Sequence, residues 1–172
     1  MKKSLEIVLI GTGFYVCGKN KKEYGTILPA IFSFAKLNQI NVKIIIAINK
    51  ENSKNHFLEK YESLKKLIDT KDLVKYKFIF CRGLPNIFLK EYEISKNIVA
   101  GIISIPDDLH YEWSEALLKA GIPLMVVKPL TLKLNESIKL YELSKKISVP
   151  IFVEFHKRFD RQIKYARDSF QN

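Results

Sequence analysis

The stretch that decides the fold is IVAGIISIPDDLHYEWSEALLKAGIPLMVVKPL, residues 98–130. Its first apolar run, Ile98–Ile105, predicts a buried strand. Asp108–Ala120 carries apolar residues at helical spacing, which predicts an amphipathic helix. Leu124–Val127 then predicts a second buried strand, with Lys128 at its carboxyl end. Strand, helix and strand in this order predict two parallel strands joined by a crossover helix.

The same alternation extends over the whole chain. Strands are predicted at Leu5–Ile10, Val42–Ile48, Tyr76–Phe80, Ile98–Ile105, Leu124–Val127 and Pro150–Phe155. Helices are predicted from Thr26 onward and at Asn52–Ile68, Pro85–Ser95, Asp108–Ala120, Leu134–Ile147 and Arg158–Phe170. Phe14–Glu23 is predicted to be a polar excursion. This pattern predicts an α/β fold: a doubly wound, six-stranded, mainly parallel Rossmann sheet of order 3-2-1-4-5-6, with helices on both faces.

The charge balance is strongly basic, with 29 lysines and arginines, 18 acidic residues and a formal net charge of +11. A concentrated basic patch would indicate nucleic-acid binding. Here the lysines are spread from Lys2 to Lys164, which indicates a compositional bias, so we do not expect a nucleic-acid partner. An anionic small ligand would still be attracted to a basic cleft.

Length and cysteine use indicate one globular unit. A chain of 172 residues is long enough to bury a core without cross-links. Cys17 and Cys81 are isolated and lack metal-ligand spacing, so we expect reduced thiols, a cytoplasmic location and no metal site. No apolar stretch approaches the roughly 20 residues of a membrane helix, so no membrane association is expected.

A glycine pair follows the first predicted strand. Gly11 and Gly13 form half of the G-x-G-x-x-G fingerprint of dinucleotide sites, in which glycines let the backbone approach a pyrophosphate. Val16 occupies the third glycine position, and Gly18 and Gly25 come later, so the loop is extended. The alternative is an ordinary glycine turn.

The end of the second predicted strand lacks the carboxylate that usually binds the adenosine ribose. Asn49 can still form a hydrogen bond to a ribose. Lys50, Ser53 and Lys54 could accommodate a 2′-phosphate, which slightly favours NADP over NAD. The alternative is a solvated helix start, which is the preferred interpretation for Lys54.

Two further strand ends carry polar residues. Asp107 or Asp108 is expected as the N-cap of the following helix, and His110 could point over the strand ends toward a ligand. Lys128 could donate to a substrate oxygen, or be a surface lysine, and its bond to Pro129 could be cis. Residues 156–160 after the sixth strand could face the same cleft, contact an additional segment or form a basic surface loop.

These motifs together resemble the glucose–fructose oxidoreductase / inositol dehydrogenase / MocA (Gfo/Idh/MocA) family. That family usually shows TPN-x-x-H, then a helix ending in AG, then a strand ending in EKP. The corresponding segments here are IPDDLH at 105–110, AG at 120–121 and VKP at 127–129. Residues 155–159 are similar to the family's basic-aromatic segment. The departures are Asp107 in place of Asn, Val127 in place of Glu, and the extended glycine loop.

The resemblance implies that residues 1–155 are an NAD(P)-binding Rossmann domain. It implies a catalytic role for Lys128, pyrophosphate contacts from the glycine turn and a place near the nicotinamide for His110. The cofactor-binding residues expected on this basis are Gly11, Thr12, Gly13, Phe14, Asn49, Lys50, Ile105, Pro106, His110, Lys128 and Pro129.

Family members continue into a second domain that forms the other wall of the substrate cleft and often mediates homo-oligomerisation. Residues 156–172 would be the helix leading into it. We therefore expect a truncated protein or a gene fragment that binds dinucleotide without turnover, and that derives from an oxidoreductase of a sugar, polyol or related hydroxy compound. The alternative is a non-catalytic Rossmann nucleotide sensor or interaction module.

Overall fold

The computed structural model describes residues 4–20, 22–93 and 98–170, and these form a six-stranded parallel sheet of order β3-β2-β1-β4-β5-β6. The strands are β1 (Ser4–Ile10), β2 (Asn41–Ile48), β3 (Val74–Phe80), β4 (Ile98–Ile103), β5 (Leu124–Val127) and β6 (Ile151–Glu154). The helices are α1 (Phe14–Cys17), α2 (Ile27–Asn38), α3 (Glu51–Ile68), α4 (Pro85–Glu91), α5 (His110–Lys119), α6 (Leu134–Ile147) and α7 (Arg161–Phe170). The predicted fold class and strand order are confirmed.

Two apolar cores cover the two faces of the sheet. In β1, Leu9 packs toward α2 and α3, whereas Val8 and Ile10 pack toward α4, α5 and α6. A strand that is buried on both faces is apolar along its length instead of alternating. This explains why the first strand was recognisable as a continuous apolar run. The result is a three-layer arrangement in which the carboxyl ends of the strands share one edge.

Some predicted boundaries differ from the structure. The fourth strand ends at Ile103 and not at Ile105, and the helix from Pro85 ends at Glu91, so its predicted end at Ser95 lies outside the described residues. The polar excursion predicted from Phe14 begins instead with the short helix α1. Val16 and Cys17 in α1 are buried against the core, and the pKa of the Cys17 thiol rises to about 12, chiefly through this burial.

The last described helix has no buried residue. It begins at Arg161 and not at the predicted Arg158, because residues 156–159 form a short 3₁₀ turn. The assignment of residues 156–172 to a domain connection stays a prediction. Within the described residues, no helix combines the length and apolar character that crossing a bilayer would require.

The extended loop after α1 is held by a buried lysine of α3. Lys60 is 2% exposed, and its Nζ donates to the carbonyl oxygens of Asn20 at 2.6 Å and Glu23 at 2.7 Å. The same ammonium lies 4.9 Å from the centroid of the Tyr24 ring, a favourable cation–π distance. One side chain therefore supplies a charged donor to two backbone carbonyl oxygens of the extended loop.

Replacing Lys60 by Met should destabilise the protein. The apolar stem is kept, but the two carbonyl oxygens lose a charged donor, so the free energy of unfolding should fall by about 2 kcal/mol. Urea unfolding measures this, with Lys66→Met as the control because Lys66 is exposed near the end of the same helix. Equal unfolding midpoints for the two variants would contradict this account of the loop.

Candidate functional site

A cleft of about 700 Å³ lies at the carboxyl ends of the central strands, a volume typical of small-molecule sites. It opens between β1 and β4, where the following chain passes to opposite faces of the sheet. Doubly wound sheets bind ligands at this point. The predicted residues that line the cleft are Gly11, Thr12, Gly13, Phe14, Asn49, Ile105, Pro106 and Lys128. Lys50, His110 and Pro129 lie outside this lining.

Glycine occupies the two positions 11 and 13 of the turn after β1 for different structural reasons. Gly11 has φ +96°, and a Cβ there would lie 2.2 Å from the carbonyl oxygen of Ser104. A Cβ at Gly13 would have no protein atom within 4 Å among the described residues. Gly11 is therefore required by the protein's own backbone, whereas Gly13 leaves open space beside the cleft.

The turn is also tied to the start of α3. The Thr12 side chain is 8% exposed, and its Oγ1 donates to the carbonyl oxygen of Ser53 at 3.3 Å. His56, one helical turn later, places its Nε2 3.1 Å from the carbonyl oxygen of Gly18. Ser53 and His56 both line the cleft. These contacts fix the glycine turn relative to the end of β2.

Several lining residues were not predicted from the sequence. Tyr15, Asn52, His56, Cys81, Ser104 and Trp113 contribute to the walls. The end of β3 was one available signal, because Cys81 directly follows that strand. Its Sγ lies 3.6 Å from the Asn49 Oδ1, and burial raises the pKa of the Cys81 thiol.

The cations proposed for a 2′-phosphate differ in their surroundings. Lys50 is exposed at the N-cap position of α3. Lys54 is half-buried and forms an ion pair with Glu51 at 3.6 Å, with its Nζ 6.0 Å from the Phe78 ring centroid. Lys54 therefore has local partners, and Lys50 is the more accessible of the two.

His110 lies behind the cleft and not over it. The side chain is fully buried, with Nδ1 2.7 Å from the Pro129 carbonyl oxygen and Nε2 3.0 Å from the Ile105 carbonyl oxygen. The expectation that His110 points toward a ligand is therefore wrong for this structure. The imidazole instead joins the chain after β4 to the chain after β5.

The carboxylates before α5 do not act as the expected N-cap. Asp107–Leu109 form a short 3₁₀ turn, and no side-chain cap hydrogen bond is present at its start or at the start of α5. The prediction was wrong because the turn itself brings the chain into the helix. Asp107 lines the cleft.

Lys128 lies at the rim of the cleft, next to the buried Val127. Its peptide bond to Pro129 is cis. No hydrogen bond or ion pair joins the Lys128 ammonium to another residue in the described part of the chain. The ammonium is thus available to a ligand that enters between β1 and β5.

Replacing His110 by Leu should destabilise the fold, because the Pro129 and Ile105 carbonyl oxygens would lose their shared polar partner while the volume is nearly kept. The free energy of unfolding should fall by about 2 kcal/mol. His56→Leu is the control, since it removes one contact from a partly exposed ring and should cost clearly less. Thermal or urea unfolding compares them; an equal or smaller loss for His110→Leu would contradict the bridging role.

Comparison with known proteins gives a family match over most of the chain. Residues 5–155 match the Gfo/Idh/MocA model described as an oxidoreductase family with an NAD-binding Rossmann fold. An uncharacterized oxidoreductase of Synechocystis is 34% identical over 71 residues, covering 41% of this chain and 19% of that protein. The myo-inositol 2-dehydrogenase of Thermotoga maritima is 32% identical over 76 residues, which cover 44% of this chain and 23% of that protein.

Solved structures show the same architecture. A 3-ketoreductase from Actinomadura kijaniata, crystallised with NADP and TDP-benzene, superposes with a TM-score of 0.65 at 16% identity, over 97% of this chain and 42% of that one. A Gfo/Idh/MocA family oxidoreductase from Vibrio cholerae gives a TM-score of 0.57 at 20% identity, over 90% of this chain and 39% of that one. The chain thus spans about two fifths of these solved chains, and its matches span about a fifth of the curated relatives.

Proposed function

The chain belongs to the Gfo/Idh/MocA oxidoreductase family and carries its NAD-binding Rossmann-fold domain, and on this premise we propose that the cleft binds NAD or NADP. The binding residues would be the predicted ones that line it, together with Lys50 at the β2 end and Pro129 at the β5 end. The observation that carries the proposal is the open space at Gly13, in a turn that a Thr12 hydrogen bond connects to α3. A cofactor phosphate needs such close access to backbone N–H groups.

The cleft suits an extended dinucleotide in its composition as well as its volume. Asn49 and Ser53 supply polar groups at the β2 end, the glycine turn lies in the middle, and Val127 and Lys128 form the β5 end. A mainly apolar wall with a few placed polar groups is the usual character of a cofactor site. The adenosine half would therefore lie toward β2 and the nicotinamide half toward β5.

When bound, a nicotinamide cofactor supplies hydride-transfer chemistry. The chain's own residues would position the cofactor and polarise an oxygen of the substrate. The turn at 11–13 would hold the pyrophosphate, Asn49 would accept or donate at the adenosine ribose, and Ile105 and Pro106 would line the space beneath the nicotinamide. Lys128 would donate from its Nζ to an oxygen of the substrate, which favours proton movement at that oxygen.

For the whole protein we propose oxidation or reduction of a sugar, polyol or related hydroxy compound. The support is the family membership, together with the likeness to proteins named as a myo-inositol 2-dehydrogenase and as a 3-ketoreductase. In this proposal residues 1–155 form the dinucleotide-binding domain and residues 156–172 lead toward a substrate domain. The chain of 172 residues would then bind dinucleotide without turnover.

One observation favours a second candidate, a nucleotide sensor without catalysis. Val127 presents an apolar side chain to the cleft at the position where the family motif has Glu. A Lys128→Ala variant of the complete protein separates the two proposals. An enzyme should lose most of its turnover, whereas a sensor should keep both nucleotide affinity and its response.

Replacing Gly13 by Ala should weaken NADH and NADPH binding about tenfold, the loss expected for one phosphate contact, while thermal unfolding stays unchanged. Fluorescence titration of the reduced cofactors measures the affinity. Gly11→Ala is the contrasting variant and should lower stability, because its Cβ would meet the Ser104 carbonyl oxygen. Unchanged cofactor affinity in Gly13→Ala would count against the proposed site.

The chain should bind NADPH more tightly than NADH through Lys50. Lys50→Ala should lower NADPH affinity by up to about fivefold, the scale of an exposed ion pair, and leave NADH affinity unchanged. Glu51→Gln should raise NADPH affinity, because Lys54 loses its ion-pair partner. Lys66→Ala, at the far end of α3, is the charge-matched control. Tighter binding of NADH than of NADPH by the wild-type chain would contradict the expected preference for NADP.

A further inference from the structure

The strand beside β5 carries a carboxylate next to the cleft. In the parallel pairing of β5 with β6, Val127 is in register with Glu154. Paired residues of neighbouring strands project from the same face, with the strands about 4.8 Å apart. Val127 lines the cleft. Glu154 therefore projects from the same face as Val127, the face that α2 and α3 cover, one strand farther along the sheet.

The Glu154 side chain has a defined neighbour. Its Oε2 lies 3.4 Å from the Nδ1 of His156, and the two side chains are 25% and 40% exposed. The His156 Nδ1 atom itself is buried without a well-aligned hydrogen bond. Within the described residues, the other carboxylate oxygen accepts no hydrogen bond. The pair is thus partly dehydrated and has unused hydrogen-bonding capacity.

The same histidine reaches the wall of the cleft. The His156 ring centroid lies 6.0 Å from that of Tyr15, and Tyr15 is a lining residue. Glu154, His156 and Tyr15 therefore form a contiguous group that connects the end of β6 to one wall of the cleft. This end is opposite to Asn49 at β2.

We propose that Glu154, oriented by His156, accepts hydrogen bonds from the hydroxyls of the ribose in the nicotinamide half of the dinucleotide. The inference rests on the proposed function, which places that half toward β5. An ionised carboxylate only accepts hydrogen bonds, so it suits a diol and repels a phosphate. Glu154 thus supplies, from β6, the polar contact that the apolar Val127 does not supply from β5.

The test compares three ligands that share the adenosine end. ADP lacks the second ribose, ADP-ribose contains it, and NADH adds the nicotinamide. In the 172-residue chain, Glu154→Val should lower the affinities for NADH and ADP-ribose about tenfold, because one hydrogen bond to a charged group is lost. The affinity for ADP should not change. Glu142→Val on the exposed face of α6 is the matched control and should change none of the three affinities.

A swap of the paired positions gives a second variant. Val127→Glu combined with Glu154→Val moves the carboxylate one strand over and should restore most of the affinity for ADP-ribose. His156→Phe keeps an aromatic ring beside Tyr15 and should lower the affinity for ADP-ribose about threefold, because the Glu154 carboxylate loses its orienting partner. Unfolding curves confirm that each variant is folded.

The outcomes separate this inference from the proposed function. If the wild-type chain binds none of the three ligands, the proposed function fails and this inference fails with it. If the wild-type chain binds and Glu154→Val leaves ADP-ribose affinity unchanged, this inference alone is overturned. An equal loss for all three ligands would also overturn it, because it would show that Glu154 supports the fold and not the ribose.

Discussion

The close approach of the β1 turn to the end of β4 is the constraint on which the cleft depends. The amide of Ser104 donates to the carbonyl oxygen of Ile10 at 2.9 Å, so the two chains leave the sheet side by side. The next residue, Gly11, must then pass against the Ser104 carbonyl in a left-handed conformation that only glycine adopts easily. One backbone chain turns to the face of α2 and the other to the face of α5, and the cleft is the space between them.

Buried polar side chains keep this opening in shape. Thr12 joins the turn to the start of α3, Lys60 holds the extended loop, and His110 joins the ends of β4 and β5. Each of them contacts backbone carbonyl oxygens close to the ends of strands or helices or in a loop, where an unpaired buried carbonyl would be costly. Hydrogen bonds therefore connect the segments at the rim of the cleft, and the exposed Lys128 directly precedes Pro129, whose carbonyl oxygen lies 2.7 Å from the His110 ring.

The fold was predictable from the sequence because strands that are buried on both faces produce continuous apolar runs, and Ile98–Val127 contains a complete strand–helix–strand unit. The glycine turn and Lys128 were predictable for a related reason, since they directly follow such runs. His110 was misjudged because spacing places a residue on a helix but does not say which backbone carbonyls face it. Lys60 and Glu154 could not be singled out, because their roles depend on a loop path and on strand register, which are tertiary features.

The register of β5 and β6 also changes how the family motif is understood in this chain. In the sequence, Val127 stands where the family motif has Glu, so the strand that precedes Lys128 lacks that carboxylate. In the structure, Glu154 lies beside Val127 on the neighbouring strand β6, and its partner His156 lies near the Tyr15 ring. A ligand responds to the position of a charge and not to the strand that supplies it. Parallel pairing fixes neighbouring strands to within one residue, so a carboxylate moved across one strand stays close enough to serve the same end of the cleft.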